Sequence, residues 1–237
     1  MRETRETRET RETMPVRHVC SLGSVCQSSR MLQDTGLKRE SYPFDWTFSS
    51  PISIERVLDD DFGQFLQRDL FVGIGPTQCT HLVYGERMFN HHNPKDNEEH
   101  YDYFTRCVSR FRALLATDAS KLFVMTFPNL DNDAGSVASI KAQVTRLTVY
   151  LSSKTRNFRL FVVCHVPRCD ALGASVADVS NVRFVTLRTT SVSDGVALTD
   201  PRENSTLQRI LLDSYKFEVE KLYGPQASQT QVYSVLF

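Results

Sequence analysis

The chain has 237 residues, 41% of them hydrophobic and 24% charged, with 28 basic and 28 acidic side chains. That length suits one large domain or two small ones with a sizeable core. The charge balance provides no net field to recruit nucleic acid or an anionic membrane, and no apolar run approaches the roughly 18 residues of a membrane-spanning helix.

The start of the chain lacks the apolar core of a secretory signal. Six cysteines (Cys20, Cys26, Cys79, Cys107, Cys164 and Cys169) are scattered, several inside apolar runs. This reads as reduced thiols rather than a disulfide framework, and a cytoplasmic address is expected.

Residues 1–14 are dominated by a fourfold Arg-Glu-Thr repeat, which has no apolar face and is expected to be a disordered low-complexity tail. Structure-like sequence begins just after Met14, which makes Met14 a candidate start. Residues 15–237 show no composition break and read as a single domain.

Val16–Leu22 predicts a short strand. Gly23 breaks it, and Ser24 is placed to cap a helix running to about Thr35. A polar turn from Gly36 to Glu40 follows. Ser41-Tyr42-Pro43-Phe44-Asp45-Trp46 is aromatic and interrupted by proline, so it predicts a packed loop. Ile54, Val57, Leu58, Phe62 and Phe65 recur near helical spacing. Between Phe71 and Pro94 the pattern gives loops, with one or two short strands around Leu82–Tyr84 and Met88–Asn90.

The second half is more regular. Tyr101, Phe104, Val108, Phe111 and Leu115 step by three and four along a predicted helix. Lys121–Phe127 predicts a strand, and Val137–Leu151 predicts another helix. Phe158–Val166 and Val182–Leu187 predict two further strands, and a last helix is expected from about Ser205 to Tyr223. Strands apolar on both faces, alternating with amphipathic helices, predict an α/β fold. It would be a mostly parallel sheet flanked by helices on both faces.

In such a sheet ligands bind beyond the carboxyl ends of the strands. The loops Gly23–Cys26, Pro128–Asp133 and Pro167–Asp170 would share that rim. Cys26 would lie in the first turn of a helix, where unpaired N–H groups and the macrodipole favour a thiolate. The same N–H groups could receive an oxyanion. The alternative is a small buried hydrophobe.

The segment from Val19 to Trp46, VCSLGSVCQSSRMLQDTGLKRESYPFDW, resembles the opening of a family of bacterial, viral and algal proteins known as putative papain-like cysteine peptidases. The resemblance rests on Ser21-Leu22-Gly23, Cys26, Leu32 with Gly36-Leu37, and Pro43-Phe44-Asp45-Trp46. Phe89-Asn90-His91 and the helix bearing Tyr101, Arg106, Arg110 and Phe111 extend it. It implies a cysteine nucleophile, Cys26, with His91 as general base; the adjacent His92 stays open as an alternative. Asp45 is the candidate third member that would orient the imidazole, or else a carboxylate satisfying loop N–H groups. Papain-like enzymes place a glutamine shortly before the cysteine; here position 20 is Cys, and Gln27 follows Cys26.

Asp131-Asn132-Asp133 has the form that metal-dependent glycosyltransferases use on a nucleotide-sugar, or it makes a turn. Cys164, His165 and Cys169 lack a complete zinc set, and His165 reads as a core histidine or a second base. Asp59-Asp60-Asp61 falls within a predicted helix as a solvated face. No Gly-x-Gly-x-x-Gly or Walker-type loop occurs, so no cofactor or metal is implied.

The leading expectation is a thiol hydrolase or acyl transferase acting on an unknown peptide, acyl or carbohydrate substrate. A carbohydrate-modifying enzyme using Asp131 and Asp133 and a non-catalytic binding domain are the alternatives.

Overall fold

Lys121–Phe127 and Phe158–Val166 carry almost unbroken apolar sequence, and they form the middle of the sheet with nearly every residue buried. The computed structural model describes residues 14–222; the Arg-Glu-Thr repeat and residues 223–237, including Tyr223, lie outside the described residues.

The main sheet contains β1 (His18–Gly23), β5 (Lys121–Phe127), β6 (Phe158–Val166), β7 (Gly173–Val179) and β8 (Val182–Arg188), in the spatial order β1-β5-β6-β8-β7. β1, β5, β6 and β8 are parallel, and β7 returns antiparallel to β8. Among the described residues there are five α-helices: α1 (Gln27–Asp34), α2 (Pro51–Asp59), α3 (Glu98–Ala116), α4 (Ala134–Lys154) and α5 (Pro201–Ser214). The chain is a mixed α/β domain built on a five-stranded, mostly parallel sheet.

The helix starts follow capping chemistry. Ser50 and Ser53 form a reciprocal capping box with Pro51 at the first position of α2. Asn97, Asp133 and Asp200 each accept a backbone N–H at the start of α3, α4 and α5.

Alternating strand residues enter two separate apolar clusters. Leu122 and Val124 pack with Met31 and Leu32 of α1 and Leu207 and Leu211 of α5. Phe123 and Met125 pack with residues of α2, α3 and α4.

Between α2 and α3 the chain forms a second, antiparallel sheet of β2 (Phe71–Gly75), β3 (Gln78–His81) and β4 (Gly85–Phe89), in the order β2-β3-β4. The strand expected at Leu82–Tyr84 is instead the turn between β3 and β4, because Gly85 at φ +136° reverses the chain there. One aromatic cluster joins this small sheet to the rest. Phe89 meets Phe65, Phe71 and Phe104 at 5.5, 5.5 and 4.7 Å between ring centres, and Phe44 meets Phe111 at 5.6 Å.

Other boundaries also differ from expectation. α2 stops at Asp59, and Asp61 and Phe62 turn through positive φ, so the acidic run closes a helix instead of lining its face. Asp60 accepts the Gln64 N–H and the Tyr84 hydroxyl. α5 ends at Ser214, where the chain peels away so that Val16 and Phe217 bridge beside β1. No helix among the described residues is long and apolar enough to cross a membrane.

Candidate active site

β1 is buried throughout, and its last residue, Gly23, lies at φ +82°. That conformation is open to glycine and strained for other residues. Space adds a second demand. A Cβ on Gly23 would collide with Ser49 Oγ and crowd the Phe44 carbonyl at 3.1 Å. Ser49 donates to the Leu22 carbonyl, and its own N–H bonds the Ser24 carbonyl. The Tyr42–Ser50 loop is therefore laid directly on the turn that leads to Cys26.

The same loop reaches β4. Thr47 bridges Phe89, and the Phe48 N–H donates to the Met88 carbonyl at 2.9 Å. Phe89 is locked in the aromatic cluster, so Asn90 and His91 emerge from a rigid anchor. The result is a Cys26 Sγ to His91 Nε2 distance of 3.2 Å across 65 residues of sequence.

Cys26 occupies the N-cap position of α1 and is only 2% exposed. The sequence reading expected a stabilised thiolate here; the structure corrects it. Burial pushes the Cys26 thiol up to about 11, and the backbone N–H and the Lys38 ammonium pull it only partly back. Desolvation outweighs the helix terminus. His91 is an exposed residue, yet partial desolvation lowers its pKa. Both shifts favour the neutral forms, and a neutral thiol could donate its proton to Nε2 across this contact.

His92 takes a different environment. Its ring stacks on Tyr103 at 4.9 Å, its Nδ1 has no partner among the described residues, and burial lowers its pKa to about 3. His165 is buried at the rim and fully engaged. Its Nδ1 accepts the Asn129 N–H, its Nε2 lies 2.6 Å from Thr189 Oγ1, and its pKa falls to about 4 through burial.

Asp45 is buried, but its described partners are the Tyr42 N–H at 2.9 Å and the Lys38 ammonium at 2.8 Å. Among the described residues no carboxylate pairs with His91. Besides Cys26, His91 meets Trp46 in a T-shaped ring contact with centres 6.2 Å apart. Lys38 lies 4.8 Å above that indole and also donates to Ser29 Oγ at 2.6 Å.

Sequence reasoning passed over Lys38. The signal available was Gly36, which at φ +68° lets the Leu37 N–H reach the Leu32 carbonyl and turns the chain back past α1.

The rim loops converge as the topology dictates. Ser24 donates to the Thr126 carbonyl, Asn129 and Ser193 exchange two hydrogen bonds, and Ser193 Oγ lies 3.3 Å from the Gln27 amide oxygen. Gln27 is spent on this loop contact. Asp133 caps α4 through Ser136, and Asn132 accepts from Arg188, so these two residues of the triplet do structural work. Among the described residues no group of three or more His, Cys, Asp or Glu side chains is arranged to hold a metal ion.

A parallel α/β domain with a cysteine beyond its first strand, met by a histidine from an inserted sheet, defines the class of protein. The model of the family described as putative papain-like cysteine peptidase matches residues 17–166, and the chain belongs to that family. Over 54 residues it is 48% identical to "Uncharacterized protein R408" of Acanthamoeba polyphaga mimivirus. That stretch is 21% of this chain and 24% of the viral protein, so the match spans about a quarter of the relative's length. No solved structure matches the chain.

Proposed function

We propose that this domain is a thiol-dependent hydrolase or acyl transferase in which Cys26 is the nucleophile and His91 its general base. The observation that carries the reading is the 3.2 Å contact between Sγ and Nε2. Family membership and the position of Cys26 beyond the carboxyl end of β1 add support. The alternation of strand residues between two apolar clusters supports a sheet covered by helices on both faces.

With both partners in the neutral forms that burial favours, the proton leaves sulfur as sulfur attacks. The Cys26 S–H proton passes to Nε2 while Sγ bonds the substrate carbonyl carbon, and the carbonyl electron pair moves onto oxygen. N–H groups opening α1 have no partner within the helix and are placed to hold that oxyanion. Collapse of the intermediate expels the leaving group, which takes the proton from the imidazolium. Water or a second acceptor then releases the acyl group and regenerates the thiol.

The test is acyl-enzyme trapping on a panel of peptide esters and thioesters, read by intact mass. Cys26→Ala abolishes the adduct. His91→Ala slows its formation by roughly 10²–10⁴-fold, the usual worth of a general base. Full turnover by Cys26→Ala would end this reading.

A second reading has one observation in its favour. The 2% exposure of Cys26 suits a non-catalytic binding domain in which the thiol–imidazole contact is a packing element. In that case no adduct forms in wild type, and Cys26→Ser leaves stability and binding intact.

A further inference from the structure

We propose that Lys38, held in place by Asp45 and Trp46, is the charge-stabilising and positioning residue of the Cys26–His91 pair. It acts on the sulfur side of the pair, as a cation beside the developing thiolate, and not as the carboxylate that stabilises the imidazolium in a triad. This rests on the catalytic reading above and deepens it by naming a further residue.

Three contacts fix the ammonium. It meets Asp45 Oδ2 at 2.8 Å and Ser29 Oγ at 2.6 Å, and it lies 4.8 Å above the Trp46 ring. Ser29 lies in the first turn of α1, three residues after Cys26. Trp46 is the ring that meets His91. One cation thus bridges the helix that carries the nucleophile and the aromatic wall that seats the base.

Its side chain is 13% exposed, so water screens it weakly. It is also the side-chain charge that draws the Cys26 thiol toward its ionised form. Asp45, buried and bonded to the Tyr42 N–H, serves to hold Lys38. The other titratable groups acting on Asp45 and its neighbours are Arg110, Cys20, Cys107, Tyr42 and Tyr103, with Glu40 on the Tyr42 hydroxyl. None of these bridges α1 and Trp46 in the way Lys38 does.

The experiment titrates the thiolate ultraviolet absorbance of Cys26. It is taken as the difference between each protein and the same protein carrying Cys26→Ala, so no reagent has to reach the buried sulfur. Lys38→Met is expected to raise the midpoint by about half to one pH unit, and Lys38→Arg to restore most of it. Lys38→Met alone strands a buried carboxylate, so the double variant Lys38→Met/Asp45→Asn is measured beside it, with circular dichroism as the folding control. The double variant should show the same upward shift.

An unchanged midpoint in a folded double variant would overturn the proposal and leave Lys38 a structural ion-pair partner. A shifted midpoint with no acyl adduct from any substrate would sustain the electrostatic role while sinking the catalytic reading. The two failures are thereby separable.

Discussion

Gly23 is where backbone conformation, more than any side chain, decides the site. Positive φ and the packed Ser49, Phe44 and Thr47 leave no place for a Cβ. Gly23→Ala is expected to cost about 2–3 kcal/mol, from left-handed strain plus the collision. Gly36 also has positive φ, but nothing lies near its missing Cβ, so Gly36→Ala should cost only about 1 kcal/mol. Urea unfolding of both variants separates strain from crowding, and equal losses would show that the Tyr42–Ser50 loop yields easily. Cys26 and His91 stand out in the sequence as candidates through linked motifs. Their 3.2 Å contact was not legible, because it depends on how Thr47 and Phe48 join β4. The charge state of Cys26 was misread, since local helix chemistry favours a thiolate while burial, a property of the whole fold, opposes it.

At the scale of elements, the rim loop Asp131–Asp133 illustrates how one triplet admits two readings until its neighbours are known. Asp133 accepts both the N–H and the hydroxyl of Ser136 at the start of α4. Asp133→Ala is therefore expected to destabilise the domain by about 1 kcal/mol, the ordinary worth of an N-cap, while Asp131→Ala stays near wild type. Thermal unfolding with and without Mn²⁺ checks this; a metal-dependent rise in Tm that vanishes in both variants would restore the ligand reading. β5 and β6 were legible to the residue because a strand buried on both faces reads as a dense apolar run. β7 was not, because all seven of its residues are exposed and its sequence carries no such run. In the inserted sheet β4 overlaps the strand expected around Met88–Asn90, while β2 and β3 escaped for a related reason. Glycines at 73 and 75 break the alternation, and Val72 and Ile74 face solvent.

Across the whole molecule, burial gives the thiols a collective effect on stability. Cys20, Cys26, Cys79, Cys107 and Cys164 are all buried, and desolvation raises each thiol above its ordinary value. In the unfolded chain these groups ionise near pH 8.5–9. In the folded chain they retain their protons, so the native state binds more protons and stability falls as pH rises. The stability is fully present below about pH 8.5 and is lost toward pH 11. Lys121 acts with the opposite sign. Burial lowers its pKa to about 8, so between there and the ordinary lysine value near 10.4 the unfolded chain binds the extra proton and stability rises. Its ammonium bonds the carbonyls of Thr117 and Arg156 and the hydroxyl of Thr155. Lys121→Met is accordingly expected to steepen the alkaline loss, measured as the slope of unfolding free energy between pH 8 and 10. A slope unchanged from wild type would show that Lys121 keeps its proton throughout.

The sequence by itself determined the α/β class, the buried central strands, the long amphipathic helices and the two motifs that carry Cys26 and His91. These are properties of period, composition and short-range spacing, each readable within a window of a few turns. Only the tertiary structure decided that His91 and not His92 faces Cys26, that Asp45 bonds Lys38, and that burial favours the neutral thiol. Those outcomes depend on contacts between segments tens of residues apart and on the low dielectric that their packing creates. Neither is encoded in any single stretch of chain.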